Sequence, residues 1–165
     1  MTPDTPRTPV AGPGRPCSMA AALHVVGEKW ALLAVRELFF GNHRFDRIVR
    51  NTGAPRDRLT ARLRALEEAG VVERRRYSER PPRYEYHLTE AGRDLAPVAH
   101  ALRTWGERWV MPEPPVTFAH EPEGGEPHPY EPVFVCGTCG QPARRGELHT
   151  EVHVPGWSVE GPVES

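Results

Sequence analysis

The stretch that decides the fold is residues 44–88, RFDRIVRNTGAPRDRLTARLRALEEAGVVERRRYSERPPRYEYHL. Its pattern predicts an arginine-rich helix over residues 55–69, a break at Gly70, and two strands over 71–77 and 83–88. Residues 78–82, SERPP, form a stiff tip between the strands. A helix of this kind fits the major groove of DNA, and a basic ribbon can lie along the backbone. The stretch therefore predicts a DNA-binding surface.

The positive charge of this stretch is local, and the net charge of the whole chain conceals it. Residues 44–83 hold twelve arginines, no lysine and six acidic side chains, which gives +6. Residues 111–165 carry −7, so the whole chain has a net charge of only −1. Because nucleic-acid binding depends on where charge is concentrated, the near-neutral total does not exclude it.

Composition bounds the class of protein. The chain has 165 residues and three cysteines, too few for a disulfide framework. No signal peptide and no run long enough to cross a membrane are apparent, so we expect a cytoplasmic protein with no membrane partner. No phosphate-binding glycine loop and no GxSxG motif occurs, and we expect no enzymatic activity. Residues 1–16 are rich in proline and are expected to be a disordered tail.

Three helices are predicted before the arginine-rich one, over residues 17–26, 29–40 and 45–52. The third is short and ends at Gly53, and Pro55 opens the next helix, where its missing N–H is not needed. A short helix, a tight glycine turn and a second helix indicate a helix-turn-helix. The predicted fold class is mainly α with a small β-wing, a winged helix-turn-helix.

The arginine-rich helix divides into a buried stripe and a polar face. Leu59, Leu63 and Leu66 recur at helical spacing and are expected to be buried. Candidate base contacts come from the start of the helix and candidate phosphate contacts from its second half and the ribbon. The candidate DNA-binding side chains are Arg44, Arg56, Arg58, Thr60, Arg62, Arg64, Arg76, Arg80 and Arg83. The alternative is a solvated amphipathic helix whose arginines serve solubility.

Several short motifs, taken in their order along the chain, resemble those of a known family. The motifs are Cys17, Val26-Gly27-Glu28-Lys29-Trp30, Leu33 through Leu38, Arg44-Phe45, Leu59 through Glu67, Gly70-Val71-Val72, Pro81 through Tyr86, Leu88-Thr89, Ala91-Gly92 and Trp105-Gly106. From residue 17 to about 110 the chain resembles an HxlR-type winged helix-turn-helix transcription regulator, a relative of the MarR group. That family often has serine where this chain has Pro55, so the cap of the recognition helix differs here.

The resemblance implies a homodimer, and the sequence supports one independently. A long helix starting at Thr89 carries an apolar face, whose members are Leu95, Val98, Ala99, Leu102, Trp105 and Trp109. A face this apolar needs a covering surface, which is either a second copy or the rest of its own domain. A dimer would present two recognition helices to a pseudo-palindromic site. The hypothesis is a sequence-specific regulator of transcription, a repressor, that responds to an unknown small-molecule or redox effector.

Cys17 is a candidate redox residue. It precedes the first helix, where the helix dipole lowers the pKa of a thiol. Some HxlR-type regulators sense oxidants or electrophiles through a cysteine at this place, so the resemblance implies such a role. The alternative is a small structural residue near the dimer seam.

The segment after residue 110 is different in character. Residues 111–132 are predicted to be a proline-rich linker, and 133–165 a small acidic extension. Within it, a strand runs into the CxxC of Cys136 and Cys139, and residues 147–154 are predicted as a return strand carrying His149 and His153. By composition these four residues could bind zinc as a zinc-ribbon-like hairpin, and the alternative is a degenerate hairpin without metal. No other cofactor is expected. The acidic tail also leaves open a protein-interaction module whose winged domain does not bind DNA.

Overall fold

A computed structural model describes residues 15–111, 113–144 and 146–163 of the chain. The tail predicted to be disordered, residues 1–16, lies almost wholly outside them. The described residues fall into two compact units. The first contains residues 15–96 and 152–163, and the second contains residues 97–151.

The first four helices lie in the first unit, and their bounds match the predicted ones to within one residue. They are α1 (Ser18–Val26), α2 (Lys29–Phe39), α3 (Phe45–Thr52) and α4 (Arg56–Glu68). Gly53 ends α3 with a φ of 69°, a left-handed conformation that a residue without a Cβ adopts at no steric cost. That turn directs the chain into α4 and completes the predicted helix-turn-helix.

The core of this unit confirms the predicted leucine stripe. Leu59, Leu63 and Leu66 of α4 are fully buried. They pack in one cluster with Val35 of α2 and Ile48 of α3. The three faces that meet there fix the orientation of α4, so its opposite face is left to solvent.

The two predicted strands form the wing. Strand β1 (Val72–Ser78) pairs antiparallel with β2 (Arg83–Leu88). Val72 lies opposite Leu88 and Arg76 opposite Tyr84, and the register shifts between Arg76 and Ser78, near the tip. Val72 is buried in the core, so the ribbon is anchored at its base and exposed towards its tip.

The predicted single helix after Thr89 is two helices, and this prediction was wrong in its continuity. The structure has α5 (Glu90–Arg93) and then α6 (Ala96–Trp109). Pro97 has no N–H to donate to the carbonyl of Arg93, so an unbroken helix would lose a bond at that point. The predicted cap is confirmed, since the Thr89 hydroxyl accepts the N–H of Gly92 at 3.2 Å.

Gly92 is where α5 meets the base of the wing. A Cβ at this residue would lie 2.2 Å from the carbonyl oxygen of Val71. The hydroxyl of Thr89 donates to the carbonyl of Gly70 at 2.6 Å. Any side chain larger than hydrogen would therefore push α5 away from Val71, the residue before β1.

The second unit contains a short hairpin inside the segment predicted as a linker. Its strands are β3 (Ala119–His120) and β4 (His128–Pro129). The flanking aromatic rings of Phe118 and Tyr130 pack against His100 of α6, with centroid distances of 5.4 and 5.0 Å. These two rings give the proline-rich segment enough apolar contact to fold onto the helix.

The predicted zinc-ribbon hairpin is not found as two strands, and this is a correction. Val135 makes a single bridge to Pro142, and residues 147–154 form no strand. The chain turns tightly after Cys136, whose N–H donates to the carbonyl of Gln141 at 2.8 Å. Because Pro142 has no N–H, the ladder stops there and residues 147–154 have no strand to extend.

No single helix among the described residues is long and apolar enough to cross a bilayer. Helices α1 and α2 meet that length and composition only when taken together, and they are bent by 76° at their junction.

Candidate nucleic-acid interface

The helix-turn-helix is held in shape by a buried carboxylate. Glu37 of α2 is 3% exposed and accepts two hydrogen bonds from Arg36, at 2.7 and 3.1 Å. Its other oxygen accepts the side-chain amides of Asn42 at 2.9 Å and Asn51 at 2.8 Å. Both oxygens are therefore satisfied, as a buried charge requires. The contacts join α2, the following turn and α3 into one rigid support for α4.

The start of α4 has no side-chain cap. Pro55 is the N-cap residue and has no side-chain acceptor, which confirms the expected departure from a serine cap. The hydroxyl of Thr60 donates to the carbonyl of Arg56 at 2.8 Å, within the helix. Thr60 therefore keeps only acceptor capacity for another partner.

Two predicted contact arginines of α4 are paired with carboxylates that lie outside α4. Arg56 lies 2.9 Å from Asp46 of α3, and its guanidinium stacks 4.9 Å from the ring centroid of Phe45. Arg62 reaches Glu28, just before α2, at 3.9 Å, and is about one third exposed. Arg62 is thus turned towards the protein rather than outward.

The remaining two arginines of α4 are exposed. Arg58 and Arg64 form no ion pair within the part of the chain that the structure describes. Arg58 lies one position from the buried Leu59, and Arg64 one from the buried Leu63. These two guanidinium groups are the cations that α4 offers to solvent without an internal competitor.

Arg44, the N-cap residue of α3, contacts both strands of the wing. Its Nε donates to Glu85 at 3.0 Å, and its guanidinium lies 4.9 Å from the ring centroid of Tyr77. The hydrogen bond to Glu85, and secondarily Tyr77, raise the pKa of Arg44. This arginine fixes the position of the wing relative to the helix-turn-helix.

The register of the wing decides which arginines share a face. Arg74 and Arg76 lie opposite Tyr86 and Tyr84, on one face, whereas Arg75 lies opposite Glu85 on the other. Arg74 stacks 4.5 Å from the ring centroid of Tyr84. Arg76 lies 3.1 Å from Glu79 and also donates to two carbonyls near the tip. The predicted contact Arg76 is therefore engaged with the tip itself.

The tip carries two exposed arginines. Arg80 and Arg83 flank Pro81 and Pro82, and among the described residues neither side chain has an ion-pair partner. Ser78 donates to the carbonyl of Pro81 at 3.0 Å, which closes the turn. The tip thus presents two free guanidinium groups on a braced loop.

A stacked pair of histidines joins the wing to the helix-turn-helix. The rings of His43 and His87 lie 4.3 Å apart with an interplanar angle of 19°. The backbone N–H of Tyr86 donates to the carbonyl of His43 at 2.9 Å, and the His43 ring nitrogen Nδ1 lies 2.9 Å from the carbonyl of Tyr86. Burial, and then the neighbouring His43 and Arg75, lower the pKa of His87.

Sequence patterns alone missed Glu37 and two further arginines. Glu37 shares a helix face with Ala34 and Leu38, which was the available signal for burial. Arg47 and Arg50 are exposed on α3, the helix that crosses the backbone in helix-turn-helix proteins. Their exposed positions make them further candidates for phosphate contact.

The structure places the predicted redox and metal residues separately. Cys17 is exposed at the N-cap of α1, and the backbone N–H groups of Ala20 and Met19 lower the pKa of its thiol. Cys136 and Cys139 are exposed in the second unit, and N–H groups of the same turn, that of Cys139 first, lower the Cys136 pKa to about 7. His149 lies outside any strand in the second unit, and His153 belongs to the first unit. No group of three or more histidine, cysteine or acidic side chains placed to hold a metal occurs in the described residues.

Comparison with known proteins identifies the family. Residues 25–114 match the model of the HxlR-like helix-turn-helix. This chain belongs to the HxlR-like family. It is therefore a transcriptional regulator of the HxlR family, for which double-stranded DNA is the implied partner.

Relatives of this HxlR-like protein are also named as transcriptional regulators. The uncharacterized HTH-type transcriptional regulators Mb3122 of Mycobacterium bovis and Rv3095 of Mycobacterium tuberculosis are each 44% identical over 126 residues. Those alignments cover 75% of this chain and 78% of each relative.

Solved structures agree with this family. PA1607, a proposed transcription factor, superposes with a TM-score of 0.69 and 34% identity, over 82% of this chain and 94% of that one. The redox regulator HypR in its reduced form gives a TM-score of 0.53 and 34% identity, over 59% of this chain and 100% of that one.

Proposed function

We propose that this HxlR-like regulator binds a pseudo-palindromic operator as a homodimer and acts as a repressor in the cytoplasm. The observation that carries the proposal is the set of exposed, unpaired arginines on α4 and at the wing tip. Arg58 and Arg64 lie on α4, and Arg80 and Arg83 lie at the wing tip. Both elements project from one core, as a protein that contacts adjacent grooves requires.

The ion-paired arginines have a second role in this proposal. Arg44, Arg56, Arg62 and Arg76 each face a carboxylate that would compete with phosphate. Exposed ion pairs are worth about 0–1 kcal/mol, so a phosphate can displace the carboxylate at small cost. We infer that the unpaired arginines supply most of the affinity and that the paired ones position the elements.

The proposed dimer rests on the exposed apolar face of α6. This helix has no buried residue, and Trp105 and Trp109 are 57% and 65% exposed. In α1, Met19 and Leu23 are also largely exposed, although their spacing is that of a buried face. Large apolar side chains presented in this way are typical of a surface covered by a partner.

A DNA-binding titration at several salt concentrations tests the proposal. The DNA is the region upstream of the gene, and the protein is the full chain and its Arg58→Ala and Arg83→Ala variants. Each substitution should weaken binding, by about 1–3 kcal/mol if a base contact is lost and less if only a phosphate contact is lost. A phosphate contact should also lower the salt slope by about one.

Arg75→Ala is the matched control, because Arg75 is also on the wing but is paired with Glu73. It should change affinity less than Arg83→Ala does. If no footprint forms even at low salt, the DNA-binding proposal fails. A protein-interaction module, with the acidic extension as its docking segment, would then be favoured.

A reporter gene under the footprinted promoter tests the sign of regulation. Repression predicts that deleting the regulator raises expression and that Arg58→Ala does the same. Lower expression on deletion would identify an activator instead.

Redox sensing through Cys17 is a second candidate, favoured by one observation. The thiol is exposed and its pKa is lowered by the backbone N–H groups of the first turn of α1. A thiolate is the form that oxidants attack. The similar protein HypR is described as a redox regulator. A Cys17→Ser variant that still loses DNA binding when oxidised would eliminate this candidate.

Zinc binding by Cys136, Cys139, His149 and His153 stays a prediction. The chemistry of the CxxC turn suits a soft metal, because N–H groups around Cys136 favour its thiolate. Metal analysis of protein purified without a histidine tag tests it, and zinc well below one per chain would contradict it.

A further inference from the structure

The hairpin of the second unit brings two histidine side chains together. His120 of β3 lies directly opposite His128 of β4 in the antiparallel register. Their nearest ring nitrogens, Nδ1 of His120 and Nε2 of His128, are 3.3 Å apart. The ring planes are at 82° to each other, so the rings approach edge to face rather than stack.

The second nitrogen of His128 has a defined partner. Nδ1 of His128 lies 3.1 Å from the backbone carbonyl of Glu126. A carbonyl only accepts, so this nitrogen carries the proton and donates it. In the neutral ring, Nε2 then has its lone pair directed at His120. A histidine that donates its far N–H to a backbone carbonyl is oriented in the way that metal-ligating histidines are.

The separation of the two nitrogens suits a shared metal ion. Zinc-to-nitrogen bonds of about 2.0–2.1 Å at a tetrahedral angle place two ligand nitrogens roughly 3.3 Å apart. The observed 3.3 Å matches that value. It is also at the long end for a hydrogen bond, which for N–H donors is usually about 2.7–3.2 Å.

The hairpin is braced, and the metal position would be open. The N–H of Tyr130 donates to the carbonyl of Phe118 at 2.9 Å, which extends the pairing beyond the two histidines. An open cleft of about 600 Å³ is lined by His120, His128, Tyr130 and Glu131, among others. Water ligands therefore have room beside the two rings.

We propose that His120 and His128 form a two-histidine site for one divalent transition-metal ion, such as zinc or nickel. Imidazole nitrogens suit ions of this borderline class. The described residues place no third histidine, cysteine or acidic ligand with them, so water completes the coordination. Such a site is exchangeable, and it differs in its residues from the predicted zinc site at the CxxC.

Calorimetric titration of nickel into the full chain tests the proposal. The protein carries Cys17→Ser, Cys136→Ser and Cys139→Ser to remove thiol ligands, and it has no histidine tag. One nickel ion should bind per chain. His120→Ala and His128→Ala should each weaken binding by about tenfold or more. Both side chains are exposed, and circular dichroism of each variant confirms that the fold is kept.

His24→Ala is the matched control, since His24 is also exposed but lies on α1 in the first unit. It should leave nickel affinity unchanged. The proposal is overturned if the thiol-free protein binds no nickel, or if either histidine variant binds as tightly as its parent. Binding that requires Cys136 and Cys139 would also overturn it and would favour the predicted CxxC site.

Discussion

Helices α2 and α6 have similar lengths and opposite surroundings. Helix α2 buries Ala31, Ala34, Val35, Glu37 and Leu38, whereas α6 buries none of its residues. Both carry apolar residues at helical spacing, so the pattern alone does not separate them. The difference is that α2 is surrounded by α3, α4 and the wing, while the apolar face of α6 meets solvent. The described residues leave this apolar face of α6 uncovered, and it is where the second copy of the proposed dimer would bind.

The largest expected effect compares one leucine from each helix. Leu38→Ala in α2 removes a side chain that is 4% exposed and should lower the free energy of unfolding by about 3.5 kcal/mol. Leu102→Ala in α6 removes one that is 54% exposed and should cost less than about 0.5 kcal/mol in dilute protein. Urea denaturation at low protein concentration measures both. Equal losses would contradict the contrast between the helices.

The second comparison concerns one glutamate from each helix. Glu37→Gln turns an amide N–H₂ towards Arg36, Asn42 or Asn51, and should cost about 3 kcal/mol. Glu107 of α6 pairs with Arg103 at 2.7 Å but is more exposed, so Glu107→Gln should cost less than about 1 kcal/mol. Thermal unfolding of the two variants ranks them. A larger loss for Glu107→Gln would contradict the stabilising role given to the hydrogen bonds of Glu37.

The third prediction examines the uncovered face itself. Trp105→Ala should weaken the proposed dimer by about 2 kcal/mol, because buried tryptophans often dominate interfaces. Analytical ultracentrifugation across a range of concentrations measures the shift towards monomer. Trp30 of α2, which packs against the core, supplies the contrast. Trp30→Ala should lower stability at every concentration, whereas Trp105→Ala should act only where the dimer forms.

The smallest expected effect is a pH dependence of stability. It involves His87 of the wing and His100 of α6. Burial first, and then nearby charges, lower the pKa of both His87 and His100 from 6.5. The unfolded chain then binds more protons than the folded one below pH 6.5, so stability should fall as pH drops through that value. His43, Arg75, Glu73 and Glu85 face His87.

Urea denaturation at pH 7 and pH 5.5 measures this dependence. His87→Gln should flatten it in part, and His24→Gln, at an exposed position on α1, is the control. A protein whose stability rose on acidification over this interval would contradict the direction given for both groups.

The helix-turn-helix and wing were predictable because their signals are local. Leucine spacing, Gly53 and the two strands flanking Pro81 and Pro82 define them without any long-range contact. The break between α5 and α6 was signalled by Pro97 but was outweighed by the apolar periodicity around it. The hairpin at His120 was not predictable, since it depends on Phe118 and Tyr130 meeting α6.

The candidate interface was predictable in composition but not in detail. All nine proposed contacts lie in the first unit, on or beside α4 and the wing. Which arginines are free depends on where the carboxylates lie after folding. Arg44 meets Glu85, which is 41 residues away along the chain, and no local pattern indicates that pair.

The hydrogen bonds that Glu37 accepts from Asn42 and Asn51 have a consequence for how this sequence can change over generations. The Glu37 carboxylate unites Asn42 and Asn51, which lie on different elements, so neither amide can be replaced independently at low cost. A substitution that removes the acid leaves amides without an acceptor, and one that removes an amide leaves an oxygen without a donor. Positions 37, 42 and 51 should therefore covary as a triplet among homologues, with an apolar residue at 37 accompanied by losses at both of the others.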